Sequence, residues 1–582
     1  MKASSADRLI RHGTIVDGTG APAYPADVRI RNGVIVEIGQ GLAPAAGELV
    51  HEARGCFVAP GFIESHTHFD GTMWWQSDLD PLPGYGVTTI VNGNCGFALA
   101  PLPEDPASRA EVVKIFSFFE DIPERPFFDN LPWDWQSWRE YRDSVAAKVA
   151  VPTHYATFVG HIAIRLAAMG MDAWTRPATA VEIERMARDL DDALAAGALG
   201  LSTNLMDHDG RDRPVPTLHA DDAELRALLE VLARHRGATL QVVIDTVMRM
   251  TAVEALLRVE RLIGDLPIRL QWAGLPTLRW QKEHGIQKPL LELHERYARE
   301  GRDFWTGYAH VPVTTVVSFD RSLLFAQSNE YVWHEVVTAV GADAKQALLR
   351  DPAWRARARH SWDELALPTC PFRRPRPILL DHSANGVGPV GLTLGEHADA
   401  QAEGRGCHPS DALADWLLAN GVDSTVTAPD WDRDLEMVER LLLDPRSVGN
   451  ISDAGAHGQM FCGAGDNVVL FTEFVRERGV LSVEQAVHVQ TGKLARFFGL
   501  ADRGEVAVGR RADLTVFALE ELERRPKRKV FDVPDGDGGT TWRWTRDAAP
   551  VRLTLVDGVA TFEDGRATGA RPGTALAPRS GA

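Results

Sequence analysis

The pair His66-Thr67-His68 closes the apolar run Phe57–Ser65. Side chains along a strand alternate between faces, so residues i and i+2 point the same way and two imidazoles converge there. Neutral imidazoles at that separation can share one metal ion; the alternative is a pair of solvated loop histidines. Asp453, in SVGNISDAGAH, ends another apolar run. It can ligate a metal, take a proton from a bound water, or do both in turn; alone it would read as a turn or N-cap aspartate before Gly455. Cys95, in VTTIVNGNCG, is either a thiolate ligand or a buried inert thiol. His161, in ATFVGHIAIR, and His457, after Asp453, can hydrogen-bond a substrate or orient its carbonyl, or serve as structural hydrogen-bonding histidines.

The elements that must carry these residues follow from the hydrophobic pattern. Residues 7–60 form short strands broken by turn pairs such as Asp17-Gly18 and Asn32-Gly33. Beyond Pro60, eight apolar runs alternate with helical patterns: Gly61–His66, Val87–Asn92, His154–Val159, Ala198–Ser202, Thr239–Ile244, Ile268–Trp272, Asp303–Tyr308 and Ser447–Ser452. Alternation of this kind predicts an α/β fold with parallel strands, and eight runs suit a (β/α)8 TIM-like barrel whose catalytic groups collect at strand ends. A capping box at Thr179 and Glu182 starts one helix, and Gly197 should stop it. The seventh and eighth runs are too far apart for one crossover, so residues 311–446, rich in Trp, Arg and Pro around Trp354–Pro377, read as an insertion or lid. After about Leu500 the short strands return. The expected organisation is therefore a small β-sandwich built from both chain ends, 1–59 and 501–582, beside a barrel over 60–500, with the last ten residues frayed.

Composition narrows the function class. With 45% hydrophobic and 24% charged residues the chain can bury a large core, which excludes disorder. A net charge of -18 opposes binding to nucleic acid or an anionic membrane. Five scattered cysteines without a CxxC pair argue against a disulfide framework and for a reduced, cytoplasmic setting. Met1–Ile10 has no export-signal pattern, and no run is apolar enough to span a bilayer. A small molecule is the expected partner, and a homo-oligomer is compatible with the sequence.

The segments DGTGAPAYPADVRIRNGVIVEIG, VAPGFIESHTHFD, GVTTIVNGNCGFALAP, AGALGLST, SDAGAH and GRRADLTVF, in this order, resemble the amidohydrolase superfamily. GNCG, VGH and SDAGAH are most similar to its N-acyl-D-amino-acid deacylase (D-aminoacylase) branch. The resemblance implies a metal-dependent hydrolase of amide or related C–N bonds on a TIM barrel flanked by a small β-sandwich. It also implies metal-site positions at His66, His68 and Asp453, an acid/base role for Asp453, and a ligand role for Cys95. D-aminoacylases also carry a histidine at the ends of the fifth and sixth strands, the second followed by a lysine that grips substrate. The corresponding runs here, ATLQVVIDTV and IRLQWAGLPT, offer Gln241 or Val243 and Trp272 instead. The four remaining ligands suit one Zn2+ per chain.

The expected substrate is an N-acyl amino acid or related amide, bulky or aromatic if Trp74, Trp75, Trp280, Trp305 and Phe304 face the cavity that Trp272 makes more apolar. In this reading Asp453 is base and then acid, with His161 or His457 at the oxyanion. Other readings of the same residues are hydrolysis of a cyclic amide, carbamate or ester, a metal-dependent decarboxylase, and a catalytically silent binding protein.

Overall fold

The structure is a computed structural model that describes residues 6–211, 213–247, 250–312, 314–319, 332–364, 376–401, 407–428 and 432–578. Within the expected part-frayed end, Ser580 to Ala582 and Arg579 lie outside these residues, as do 365–375 of the Trp/Arg/Pro-rich stretch.

All eight apolar runs form strands. The first is Phe62–Glu64, resumed as His66–Thr67; the second to seventh are Val87–Asn92, His154–Thr157 with Val159–Gly160, Gly200–Asn204, Thr239–Val243, Arg269–Ala273 and Phe304–Gly307. The eighth is Ser447–Val448, resumed as Ile451–Ala454. Each pairs parallel with the next, from Phe62↔Val87 through Thr306↔Ser447. The eighth then pairs parallel with the first at Ile451↔His66. The second strand is buried at every position, VTTIVN, as expected of a parallel strand covered on both faces.

The connecting helices begin and end where local chemistry dictates. Thr179 and Glu182 make both hydrogen bonds of a capping box on the helix Ala180–Ala195. Gly197, at φ 105°, follows that helix in the left-handed region. The two chain ends share one nine-stranded sheet in which Leu514–Phe517 lies antiparallel to Phe57–Pro60. Asn32 and Gly33, at φ 50° and 73°, supply the turn between Tyr24–Arg31 and Val34–Gly39, because such a tight hairpin needs two left-handed residues.

The long segment between the seventh and eighth strands has its own antiparallel sheet, Val316–Ser318, Thr425–Thr427 and Leu379–His382. Its core gathers Trp333, Trp354, Trp362, Leu413 and Trp416. The helix Leu435–Leu443, by contrast, puts Met437, Val438, Leu441 and Leu442 into the main core and is the crossover to the eighth strand.

One expectation changes at the C-terminus: Gly573–Leu576 is tied down. Tyr155 donates its amide to Thr574, and Leu576 donates to Tyr155. Beside this contact lies a buried clasp between the third strand and the nine-stranded sheet. His154 Nδ1 is 3.0 Å from Thr574 Oγ1, and Nε2 lies 3.4 Å and 3.6 Å from carboxylates of Asp513 and Asp557. Burial disfavours the charged imidazole, but the two carboxylates outweigh it and raise the His154 pKa; those of Asp513 and Asp557 are lowered against the same burial penalty. A raised histidine pKa stabilises the fold below its unfolded value near 6.5 and is lost as pH rises through the folded value. The lowered aspartates stabilise above about 3.9 and fail on acidification. We therefore expect the thermal midpoint of wild type to exceed that of His154→Gln by a few degrees between about pH 4 and 6.5, and the gap to shrink by pH 9. Equal gaps at pH 6 and 9 in melting curves would refute a charged clasp.

Candidate metal centre

The alternation expected of the first strand is present. Thr67 turns to the second strand, its hydroxyl 2.8 Å from Val91 O and 2.7 Å from Asn92 Oδ1. His66 and His68 project to the other face with ring centroids 5.2 Å apart. Both histidines are buried. Pairing with the eighth strand brings Asp453 against them: its Oδ1 is 3.2 Å from His66 Nε2 and 3.6 Å from His68 Nε2. Cys95 arrives from the end of the second strand, with Sγ 3.1 Å from His66 Nε2. One donor atom from each of His66, His68 and Cys95 lies within 4.8 Å of the others.

These separations fit a shared ion. Bond lengths of about 2.0–2.3 Å to N, O and S in a tetrahedron place neighbouring donors about 3.3–3.6 Å apart. Two imidazoles, a carboxylate and a thiol are also the donor types that zinc takes. The Asp453 side chain keeps 31% exposure, unlike the histidines at 4% and 3%, so the carboxylate is reachable from outside while the imidazoles are not.

The electrostatics follow from depth. Burial, more than the nearby carboxylate can offset, lowers His66 to about 4, so it is a neutral donor. His68 is buried too, yet Glu120 and Asp453 outweigh burial and raise it well above the ordinary value. Burial also lifts the Cys95 thiol to about 12. Asp453 is held below the usual carboxylate range because the imidazoles outweigh its burial penalty. Below this set, Glu64 is fully buried and pushed up to about 8 by desolvation.

Glu120 is a site residue that sequence reasoning did not find. It ends the helix Pro106–Glu120, is 2% exposed, and places Oε1 2.9 Å from His68 Nδ1. A carboxylate on the far nitrogen orients the ring and leaves Nε2 as the donor. Its position, far from any strand end in sequence, carries no local signal. The next residue, Asp121, lies 3.5 Å from His457 Nδ1, and carboxylates outweigh burial to raise the His457 pKa.

His161 is placed elsewhere. Its ring nitrogens lie 2.8 Å from Thr203 Oγ1 and 2.8 Å from Glu224 Oε1, and Glu224 also pairs with buried Arg165. All of these groups are buried, so both imidazole nitrogens are engaged inside the protein.

Trp272 requires a correction. It was expected at the cavity in place of an imidazole, but it packs outward, its ring 6.3 Å from His294 on the helix Gln287–Arg299. Alternation makes its neighbour Gln271 the inward residue, and Gln271 pairs in register with Gln241. Both glutamines are fully buried, and neither amide atom of Gln271 has a hydrogen-bond partner among the described residues. Several other aromatics are packing residues as well: Trp74 stacks on Trp135, Phe304 meets Tyr297, and Trp305 meets Phe497. Trp75 differs, lining a cleft with Phe69, Phe461, Trp542 and Trp544 beside Gly455 and Ala456.

A family model described as "Amidohydrolase family" matches residues 50–562, and the chain belongs to that family. Within it the chain is D-aminoacylase-like, a hydrolase of carbon–nitrogen bonds other than peptide bonds. It is 28% identical to an N-acyl-D-aspartate deacylase of Alcaligenes xylosoxydans xylosoxydans over 99% of this chain and 96% of that protein. Among solved structures, it is similar to a D-aminoacylase with a binuclear metal centre, which shows one-metal activation and second-metal attenuation. That match has a TM-score of 0.63 and 25% identity, covering 99% of this chain and all of the other. An N-acyl-D-glutamate deacylase of Bordetella bronchiseptica, solved with zinc and a phosphonate inhibitor, shares the fold at a TM-score of 0.64 and 24% identity, over 98% of this chain and all of the other. No helix of the described residues is long and apolar enough to cross a membrane.

Glu120→Gln, which removes the negative charge 2.9 Å from His68 Nδ1, is expected to weaken zinc affinity about 10–100-fold in a chelator competition. Unchanged affinity would reduce Glu120 to a packing role.

Proposed function

We propose that the protein is a zinc-dependent deacylase of N-acyl amino acids or closely related amides, with one Zn2+ held by His66, His68, Cys95 and Asp453. The observation that carries this reading is the convergence of two imidazoles, a thiol and a carboxylate at 3.1–3.6 Å from three separate strand ends. The one-metal activation of the similar D-aminoacylase supports a single catalytic ion. In this reading the eight parallel strands close as a (β/α)8 barrel over about 60–500. Residues 1–59 and 501–582 form the β-sandwich beside it, and the core-bearing insertion falls within 311–446. The four described cysteines are free, which supports a reducing, cytoplasmic setting.

The ion, when bound, supplies Lewis acidity that activates water and polarises the scissile carbonyl. The remaining work belongs to the chain. Asp453, the carboxylate of the set, accepts the proton of the attacking water on the oxygen not turned to the imidazoles and returns it to the leaving nitrogen. His457, 3.5 Å from the Asp121 carboxylate, donates to the developing oxyanion. His161, committed to Thr203 and Glu224, supports the site from behind rather than touching substrate. The aromatic cleft of Phe69, Trp75, Phe461, Trp542 and Trp544 accepts a bulky group, in keeping with an apolar acyl or side chain.

The test combines elemental analysis with a panel of N-acyl amino acids of both hands, cyclic amides, carbamates and esters. Wild type should carry about one zinc and hydrolyse N-acyl amino acids. Asp453→Asn should lower kcat/KM about 10²–10⁴-fold. A loss of less than about tenfold removes Asp453 from the proton-transfer role. Turnover confined to cyclic amides or esters moves the reaction to that bond, and metal-free, inactive protein favours a silent scaffold.

A further inference from the structure

The loop that presents Cys95 is held by side chains from two other strands. Cys95 has φ 58°, a left-handed conformation that is strained for a non-glycine residue, and it stands between Gly93 and Gly96, both also left-handed. Gly93 cannot be replaced freely, since a Cβ there would lie 2.6 Å from Phe158 O on the third strand. The strained turn is secured on both sides of the cysteine. The Cys95 amide donates to Gln241 Oε1 at 3.1 Å, and Asn204 Nδ2 donates to the Cys95 carbonyl at 3.1 Å. Ser202 Oγ accepts the Gly96 amide at 3.0 Å and in turn donates to the Gly93 carbonyl. Ser202, Asn204 and Gln241 are all fully buried.

These contacts are more specific than packing requires. Asn204 uses its carbonyl to accept the amides of Met206 and Asp207, and its Nδ2 also donates to Asp207, so the amide cannot flip without losing partners. Gln241 is in register with Ser202 on one side and Gln271 on the other, so the fifth strand turns it to the same interior face. The backbone groups on either side of Cys95 are therefore fixed by rigid strand residues, and the remaining freedom is the thiol rotamer.

We propose that Gln241, Asn204 and Ser202 are positioning residues that hold Cys95 in its left-handed conformation and thereby aim Sγ at the ion shared with His66. This rests on the metal-site reading above and adds to it the origin of the cysteine's orientation. A side chain at the end of the fifth strand here serves the metal through a backbone amide, not as a donor atom of its own.

The test reads the thiolate directly. The full-length protein is loaded with Co2+, and the near-ultraviolet thiolate-to-cobalt charge-transfer absorption is recorded with the bound cobalt per chain. Wild type should show the band and Cys95→Ser should lose it. Gln241→Met, which removes the acceptor with similar volume, should at least halve the band per bound cobalt and weaken cobalt affinity about 10–100-fold, while Gln241→Glu, which keeps the acceptor, restores the band. Ser202→Ala is a smaller change that should weaken the band in the same direction and serves if Gln241→Met does not fold. A wild-type band and affinity in Gln241→Met, or in Ser202→Ala where it alone folds, overturns the positioning proposal and leaves the metal site intact. Absence of the band in wild type overturns Cys95 as a ligand, and the positioning proposal with it.

Discussion

The contact on which the site depends is the parallel pairing of the eighth strand with the first. His68 donates its amide to Ala454 O, and Ile451 lies opposite His66. Residues nearly four hundred positions apart are thereby set side by side, and a single carboxylate oxygen comes within 3.6 Å of two imidazoles. The same seam is tightened by Ser65, whose hydroxyl donates to Gly449 O, and by Asn450, which donates to Ile63 O. A slip of one residue in this register would turn Asp453 away from the histidines, because strand side chains alternate faces.

Around this seam the protein separates groups that bind from groups that aim. In the proposed site, His66, His68, Cys95 and Asp453 are the donors. Glu120 sits behind His68, Asp121 behind His457, and the trio Ser202, Asn204 and Gln241 behind Cys95. The outer groups come from a helix end and from the fourth and fifth strands, which give no donor. Buried polar groups retain their orientation only when their partners are fixed, and this arrangement supplies such partners on rigid elements.

The periphery follows a different economy of contacts. The segment between the seventh and eighth strands folds around four tryptophans of its own, Trp333, Trp354, Trp362 and Trp416. The chain ends meet in one sheet, and His154 joins that sheet to the parallel strands through Asp513 and Asp557. Tryptophans that suggested an aromatic cavity are divided accordingly. Trp74 and Trp305 are packing residues, whereas Trp75 faces a cleft completed by Trp542 and Trp544 from the C-terminal segment.

The local pattern of the sequence determined the eight strands, the capped helix at Thr179 and the tight turn at Asn32-Gly33, and it marked His66, His68, Cys95 and Asp453 as candidates for the site. Each is written in short-range periodicity or in a residue type placed at a strand end, which physics reads without knowing the rest of the chain. The tertiary structure decided the partners. Glu120 came to His68 because a helix after the second strand ends there, and His161 was drawn to Glu224 and Thr203. Trp272 faced outward and Gln271 inward because strand phase, rather than residue type, assigns the face. The C-terminal residues Gly573–Leu576 were secured by the third strand, a contact that no local composition encodes. Such contacts depend on which distant elements become neighbours, and only chain closure sets that.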